Sequence, residues 1–351
     1  MQQEPKIVRA EEKATSSSWV VEMEELLRDS NPSAEMKRWK QHSIYRVPEF
    51  IKEMTNRKAY QPQFVSFGPL HHGESPLLPM EEHKRRAVRH MVRRAVKPLG
   101  EYIAAVEEVA DELEGAYADL DDKWRGVNRG SFVEMMVTDG CFLLELIRKQ
   151  VIVTNGEIDD YAASDPVFSN DSFIRLWPYM LIDMITMENQ LPLLVLQRLE
   201  AVQSGTSPSA AVINNWVLLL LNRPLEDMDN LGLNMLDIFH RSYCGTCPHW
   251  EESDNYDDSR TPCAVELAEA GIHFKKSKTE SIHDVDFENG VLSMPLFEFF
   301  DDTEIELLNL MAFEFLHRGA KQDGKFYISF VDKLIDSERD VALLRSKRIF
   351  S

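Results

Sequence analysis

The chain has 351 residues, of which 44% are hydrophobic and 28% are charged. This apolar content excludes a chain that is disordered throughout, and the length suffices for one large core or two closely packed lobes. The formal net charge of −20 argues against non-specific binding of nucleic acid, which requires a basic surface. It favours a well-solvated surface or a basic partner.

The cysteines and the apolar runs indicate the compartment. Cys141, Cys244, Cys247 and Cys263 are too few and too unevenly spaced for a disulfide scaffold, which favours a reducing environment. The N-terminus lacks the apolar run of a secretory signal. The longest clean apolar run, 216–221, is far shorter than the roughly 20 residues that span a membrane. The sequence as given therefore predicts a cytoplasmic protein with no transmembrane segment in this chain.

The first 80 residues divide into two parts. Residues 1–40 predict a flexible tail and a leading helix that begins after Ser18, and 41–351 predict one α-rich domain. Residues 44–80 contain five prolines among large apolar side chains, so they cannot form one long helix. We predict an ordered, irregular segment that packs on the helical core.

A basic stretch and an acidic stretch follow each other. Residues 81–98 predict a basic amphipathic helix, and 101–122 predict a helix with nine acidic residues and no basic one. The favoured arrangement is an antiparallel pair in which arginines such as Arg85 and Arg89 face these carboxylates. The alternative is a basic face that binds anionic lipid or a phosphate.

Two apolar stretches predict buried helices in the middle of the chain. Residues 131–134 have the capping-box pattern at the start of the first. The second covers 173–199 and is interrupted by Pro178 and Pro192. Acidic side chains in such helices, Asp139 and Asp183, need a buried partner. A structural role is favoured, with Asp183 on a polar stripe of its helix, and a catalytic acid is the alternative.

The C-terminal third changes its periodicity. Residues 202–210 and 245–262 are loops by composition, and the second is predicted to be acidic and mobile. Asn289-Gly290 between alternating segments predicts an antiparallel β-hairpin. A capping box is predicted at 303–306, and one last helix over 326–347. The predicted fold class is mainly α, a multi-helix bundle with a small antiparallel β-hairpin element near the C-terminus.

Histidines and carboxylates cluster at one place in the sequence. His71, His72 and His83, with Glu81 and Glu82, are residue types that bind zinc when three or four ligand atoms converge. Nothing in the spacing imposes that convergence. The favoured interpretation is a turn whose imidazoles bond the backbone.

Two further patterns imitate known sites. Cys244 and Cys247, with His249, have the CxxC spacing but lack a second pair for zinc and a βαβ frame for redox chemistry. The stretch 319–325 nearly matches a phosphate-binding loop, but Phe326 replaces the Ser or Thr that would hold magnesium. We therefore expect no metal, no cofactor and no nucleotide.

Several distinct short sequence blocks follow one another along nearly the whole chain. They run from SIYRVP at 43–48 through SFGPLHHG at 66–73 to ENQLP at 188–192, with further blocks at 262–272 and 303–314. The motif residues in these blocks are Tyr45, Pro48, Gly68, Pro69, His71, His72, Gly73, Met80, Glu81, His83, Lys84, Asp139, Gly140, Asp183, Glu188, Asn189, Gln190 and Pro192. In this order they resemble the signature of the plant DUF247 (UPF0481) family. Phe67 and Leu70 depart from it, because they stand where the family commonly has Ile and Tyr.

The resemblance implies no established reaction. It implies roles in plant signalling, including pollen-side recognition in the self-incompatibility of grasses. Family members carry a C-terminal apolar helix that is absent from this sequence, and the resemblance implies association with the plasma membrane. The function that we expect is non-catalytic recognition of a protein partner, in a homo- or hetero-oligomer and without nucleic acid. The alternative is a hydrolase-like or metal-dependent enzyme that uses the His71, His72 and His83 cluster.

Overall fold

The structure, a computed structural model, describes residues 19–21, 23, 27, 32–156, 159–244, 262–279 and 281–351. The chain divides into two compact units, Met1–His42 and Ser43–Ser351. The first unit contains helix α1 (Pro32–Gln41). The predicted flexible tail, the cap at Ser18 and all of the predicted acidic loop except Pro262 lie outside the described residues.

The second unit consists mainly of helices. In its first half these are α2 (Glu49–Met54), α3 (Leu78–Ala95), α4 (Leu99–Glu107), α5 (Ala110–Gly115), α6 (Arg129–Asn155), α7 (Asn170–Ile185), α8 (Leu193–Ser204) and α9 (Ala210–Leu220). In its second half they are α10 (Met235–Cys244), α11 (Ala264–Glu269), α12 (Thr303–Leu316), α13 (Asp323–Leu334) and α14 (Glu338–Ser346). The strands are β1 (His273–Lys276), β2 (Asp286–Glu288) and β3 (Val291–Met294). The predicted fold class is confirmed. None of the described helices is long and apolar enough to cross a membrane.

Helix α6 is the centre of the larger core. Its apolar side chains point in nearly every direction, and α3, α4, α8 and α9 all pack around it. The capping box predicted at 131–134 is wrong. A 3₁₀ turn, Gly126–Asn128, runs directly into the helix, so Ser131 is already helical and no side chain caps the first turn.

The second apolar stretch is two helices separated by a non-helical link. Pro178 lies inside α7, which ends at Ile185, and α8 begins directly after Pro192. The polar stripe predicted for Asp183 is therefore wrong, because residues 186–192 are not helical. Asn189 donates to Asp183 O at 2.8 Å, and Gln190 donates to Met184 O at 2.7 Å. These side chains satisfy carbonyls that the end of a helix leaves free.

The basic helix packs differently from the prediction. The stretch 101–122 contains the short helices α4 and α5 and ends in irregular chain, and α3 packs mainly on α6. Arg86 pairs with Asp165, and Arg94 pairs with Glu145. Arg86 and Arg94 therefore face carboxylates within 145–165 and not those of 101–122. This follows because the buried face of α3, at Met80, Ala87 and Met91, turns toward α6. The predicted pairing with 101–122 is wrong.

The small sheet has the order β1-β3-β2. Asn289 and Gly290 adopt φ of 51° and 78°, and they join β2 to β3 in the predicted antiparallel hairpin. Strand β1 pairs with β3 in parallel, so the sheet is mixed and not purely antiparallel. The described residues between β1 and β2, 277–279 and 281–285, are not part of a strand, and β1 pairs with the edge of β3 that β2 leaves free.

The last helices also begin differently. Thr303 is the first residue of α12 and accepts from Phe300 N at 2.8 Å, so it does not cap the helix and the predicted box at 303–306 is wrong. The predicted last helix is two helices, α13 and α14. Ser337 and Asp340 form a capping box that starts α14, which explains the break between them.

Helices α6 and α8 approach each other most closely at Gly140. A Cβ at this position would lie 2.5 Å from Leu199 Cδ1 and 2.7 Å from Val195 Cγ1. We expect Gly140→Val to lower the free energy of unfolding by about 1–3 kcal/mol, because the added methyl groups must displace these side chains. Urea denaturation measures the change.

The control is Gly130→Val in the same helix, where a Cβ would meet nothing within 4 Å. We expect it to change the free energy of unfolding by less than about 0.5 kcal/mol, as for other exposed substitutions. Equal urea midpoints for the two variants would show that the α6–α8 contact does not depend on Gly140.

Candidate functional site

Most of the predicted site residues lie in two segments that meet in the core. The motif segment, residues 183–190, comprises the end of α7 and most of the link to α8, and its side chains Asp183, Glu188, Asn189 and Gln190 are buried. The predicted irregular stretch 44–80 contains helix α2, a 3₁₀ turn at Arg57–Tyr60 and the start of α3, and is otherwise non-helical. The part of the chain that lies against the motif segment, residues 43–73, is called the irregular segment, and most of it has no strand partner. The structure therefore brings the first and the central sequence blocks together.

Asp183 and Asn189 bind the backbone of the irregular segment. The Asp183 carboxylate accepts from the backbone N–H groups of 63–65 at 2.7–2.8 Å. Asn189 accepts from Phe67 N at 2.6 Å and donates to Val65 O at 3.0 Å. Burial raises the pKa of Asp183 to about 6, and the three N–H donors oppose this rise. These bonds replace the strand neighbour that an extended backbone normally has.

Glu188 is the second anchor. Its Oε1 accepts from Val47 N at 2.7 Å and lies 2.6 Å from Lys52 Nζ, and its Oε2 lies 3.3 Å from His71 Nε2. Burial alone would raise the pKa of Glu188, but His71, Lys52 and the Val47 N–H together hold it below its ordinary value. Glu188 is therefore an internal ion-pair partner.

Asp139 lies in a buried ionic cluster with Lys84 and Glu81. Lys84 Nζ lies 2.7 Å from Asp139 Oδ1 and 2.6 Å from Glu81 Oε1, while Gly68 N donates to Asp139 Oδ2 at 2.8 Å. Burial, and to a lesser extent Glu81, raises the pKa of Asp139 against the pull of Lys84. Gly68 has φ of 70°, and a Cβ there would lie 2.5 Å from Gln190 O. The position therefore requires glycine.

The three histidines of the predicted cluster have separate surroundings. His71 contacts Glu188 and, through Nδ1, Glu74 at 2.7 Å. His72 meets the edge of Trp124, and His83 contacts Arg86. In the part of the chain that the structure describes, these histidines form no metal-ligand group with Glu81 or Glu82. The three histidines do not converge there, because His71 and His72 contact different partners and His83 lies on α3.

The other motif residues support the same architecture. Tyr45 OH lies 3.2 Å from His317 Nδ1. Met80 belongs to the large core, and Gly73 turns the chain with φ of 86°. Pro48 and Pro192 directly precede α2 and α8, and Pro69 is buried.

Sequence reasoning missed three buried asparagines that also hold backbone. Asn309 donates to Ala59 O at 2.8 Å, and Asn234 donates to Ser43 O at 3.1 Å. Asn214 donates to Met228 O and accepts from Gly232 N. The available signal was an isolated amide in an apolar run, as at Asn309 between two leucines.

A wide acidic cleft that is open to solvent lies along the C-terminal half of α7, where Gln63 and Asp183 also contribute to its lining. It has a volume of about 980 Å³, and its lining includes Tyr179, Phe300, Asp301, Asp302 and Glu306. Tyr179 and Phe300 are 60% and 65% exposed. Burial, and then Asp302, raises the pKa of Glu306 to about 7. We call this surface the acidic cleft.

One basic side chain, Arg223, also lines the acidic cleft. Its guanidinium donates to Ser242 Oγ at 3.2 Å and lies over the rings of Phe239 and Tyr243. Arg223 is therefore held against the protein.

Comparisons with known proteins relate most of this chain to one family. The sequence model of DUF247, described as a plant protein of unknown function, matches residues 44–351. A UPF0481 protein of Arabidopsis thaliana is 27% identical, and the match covers 87% of this chain and 68% of that protein. A putative UPF0481 protein of the same plant is 31% identical over 25% of this chain and 17% of its own length. No solved structure matches significantly.

The Asp183 bonds can be tested by one amide substitution. We expect Asp183→Asn to lower the free energy of unfolding by about 2–4 kcal/mol, because the amide brings a donor toward buried N–H donors. Thermal and urea unfolding measure the loss. Asp171→Asn, an exposed position on the same helix, is the control and should cost less than about 1 kcal/mol. A similar loss in both variants would contradict the assigned role.

The raised pKa of Glu306 predicts a pH-dependent stability. Because the native state holds this proton up to about pH 7 and an unfolded glutamate loses it near 4.3, this group stabilises the fold less as pH rises between those values. We expect Glu306→Gln to be more stable than the wild type by about 1–3 kcal/mol at pH 8.

The difference between Glu306→Gln and the wild type should largely vanish near pH 4.5, where both side chains are neutral. Urea denaturation at both pH values measures it. Glu304→Gln, an exposed change on the same helix, should not show this pH dependence. A constant difference between Glu306→Gln and the wild type would be the contrary result.

Proposed function

The chain belongs to the plant DUF247 family, whose function is unknown, and on this basis we propose that it is a non-catalytic module that recognises a protein partner. The main support is the use of the motif side chains. Asp139, Asp183 and Glu188 are each at most 1% exposed, and they bind the backbone or basic side chains of their own chain. A catalytic acid or base must reach a substrate, whereas these groups hold the fold.

The acidic cleft supports a partner of stated chemistry, a basic segment that carries apolar or aromatic side chains. Aromatic rings are enriched at surfaces that bind protein, and carboxylates beside them add electrostatic complementarity to a basic partner. Tyr179 and Phe300 supply the rings, and Asp301, Asp302 and Glu306 supply the charge. The net charge of −20 speeds the approach of a basic partner.

The biological setting is also part of the proposal. We assign the module to plant signalling, which includes pollen-side recognition, because the resemblance of the sequence blocks implies such roles. The same resemblance supports association of the protein with the plasma membrane. The competing enzyme hypothesis gains no support from the separate contacts of His71, His72 and His83.

Binding of defined peptides to the full chain tests the cleft. Fluorescence anisotropy would compare labelled peptides that alternate Lys or Arg with aromatic residues against peptides in which Glu replaces the basic residues. We expect the basic set to bind preferentially. The double variant Asp301→Lys with Asp302→Lys should weaken this binding at least about tenfold, a change of about 1.4 kcal/mol.

The matched control is Asp119→Lys with Asp122→Lys, which changes the net charge equally at exposed positions outside the cleft. We expect it to weaken binding much less. Equal weakening by the two double variants would mean that net charge alone attracts the peptides. Equal affinity for the basic and acidic peptides would overturn recognition by charge at the cleft.

A further inference from the structure

Three buried side chains with metal-ligand chemistry meet between α10, α12 and the start of α13. His240 and Cys244 are four residues apart on α10 and therefore lie on one face of it. Glu314 faces them from α12. His240 Nε2 lies 2.9 Å from Glu314 Oε1 and 3.4 Å from Cys244 Sγ, and the three ligand atoms all lie within 4.8 Å of one another.

These separations fit the first shell of a zinc ion. Zn–N and Zn–O distances of about 2.0–2.2 Å and a Zn–S distance of about 2.3 Å place neighbouring tetrahedral ligands roughly 3.3–3.6 Å apart. The Cys244–His240 distance agrees, and the His240–Glu314 pair needs only to open by a few tenths of an ångström. A thiolate and a carboxylate also neutralise a divalent cation, which reduces the cost of burying it.

The surroundings of Glu314 fix the direction of its carboxylate. Gly324 N donates to Oε1 at 2.8 Å and Lys325 N donates to Oε2 at 2.9 Å. A Cβ at Gly324 would lie 2.9 Å from Oε1. The amides of the stretch that imitates a phosphate-binding loop therefore hold an internal carboxylate, and such outer-shell bonds orient metal ligands.

The same three residues do not fit a nucleophilic triad. In a triad, one imidazole nitrogen faces the nucleophile and the other faces the carboxylate, whereas Nε2 of His240 faces both Cys244 and Glu314. Burial, and then Glu314, raises the pKa of the Cys244 thiol well above its ordinary value. A thiol in this state is a poor nucleophile.

We propose that His240, Cys244 and Glu314 bind one Zn²⁺ ion, with a solvent molecule in the fourth position. Binding converts the Cys244 thiol to a zinc-bound thiolate and releases one proton. The ion would join the larger core, to which Phe313 belongs, to the smaller C-terminal core, to which Cys244 and Tyr327 belong. The proposed role is structural and independent of the acidic cleft.

The sequence pointed away from this site. It associated Cys244 with Cys247 and His249, which lie outside the described residues, and it led us to expect no metal. The ligand Glu314 follows His240 by 74 positions, and no short spacing pattern links them.

Cobalt and zinc titrations of the full chain test the proposal. The protein would be reduced, stripped with a chelator and titrated with Co²⁺, which reports a thiolate ligand by a charge-transfer absorption band and tetrahedral geometry by its visible bands. We expect one Co²⁺ per chain, displaced by Zn²⁺. Native mass spectrometry would give the stoichiometry, and zinc should raise the unfolding temperature.

The substitutions Cys244→Ser and Glu314→Gln keep the side-chain size and should each weaken binding by more than the roughly 10–100-fold cost of losing an outer-shell partner. Cys141→Ser, at another buried free cysteine, is the control and should retain the cobalt spectrum. Circular dichroism would confirm that each variant is folded. No thiolate band in the wild type, or a wild-type spectrum in folded Cys244→Ser, would overturn the site.

Discussion

Hydrogen bonds from buried side chains to the backbone of the irregular segment are the interaction on which the rest of the structure depends. A backbone N–H that is buried without a partner costs free energy, and residues 63–67 have no neighbouring strand to supply one. Asp183, in the last turn of α7, and Asn189, in the link between α7 and α8, supply the acceptors. Once these bonds form, Val65 and Phe67 are placed in the large core. The irregular segment is thereby as much a part of the core as the helices.

The buried charges serve the same architecture at a higher energetic cost. Lys84 is fully buried between Asp139 and Glu81, an arrangement that is stable only when every member keeps its partner. Such a cluster favours one relative position of α3, α6 and the turn at Gly68 over its alternatives. The motif consequently identifies a shared scaffold. It does not by itself identify a shared ligand.

Local patterns predicted the elements, and distant contacts decided how they end and pair. The buried helix α6 and the Asn289-Gly290 turn were predicted correctly, because each depends on residues that are close together in the sequence. The end of α7 was not predicted correctly. The sequence suggested that Pro192 ends the helix, whereas Asn189 and Gln190 bond to its last carbonyls and it ends at Ile185. The partners of Arg86 depend on the rotation of α3 about its axis, which its buried face sets. The separate environments of the three histidines likewise follow from tertiary contacts such as His71 with Glu188.

The long range of these hydrogen bonds affects how the chain can fold. The bonds from Val47 N to Glu188 and from Val65 N to Asp183 span 141 and 118 positions, and the bond from Asn309 to Ala59 O spans 250. High contact order slows folding because loop closure precedes the stabilising contact. At about 5–20 residues per second on the ribosome, the irregular segment is synthesised roughly 6–24 s before the carboxylate that binds Val65. During that interval Phe64 lacks Tyr179, against which it packs in the folded chain, and its apolar surface stays exposed.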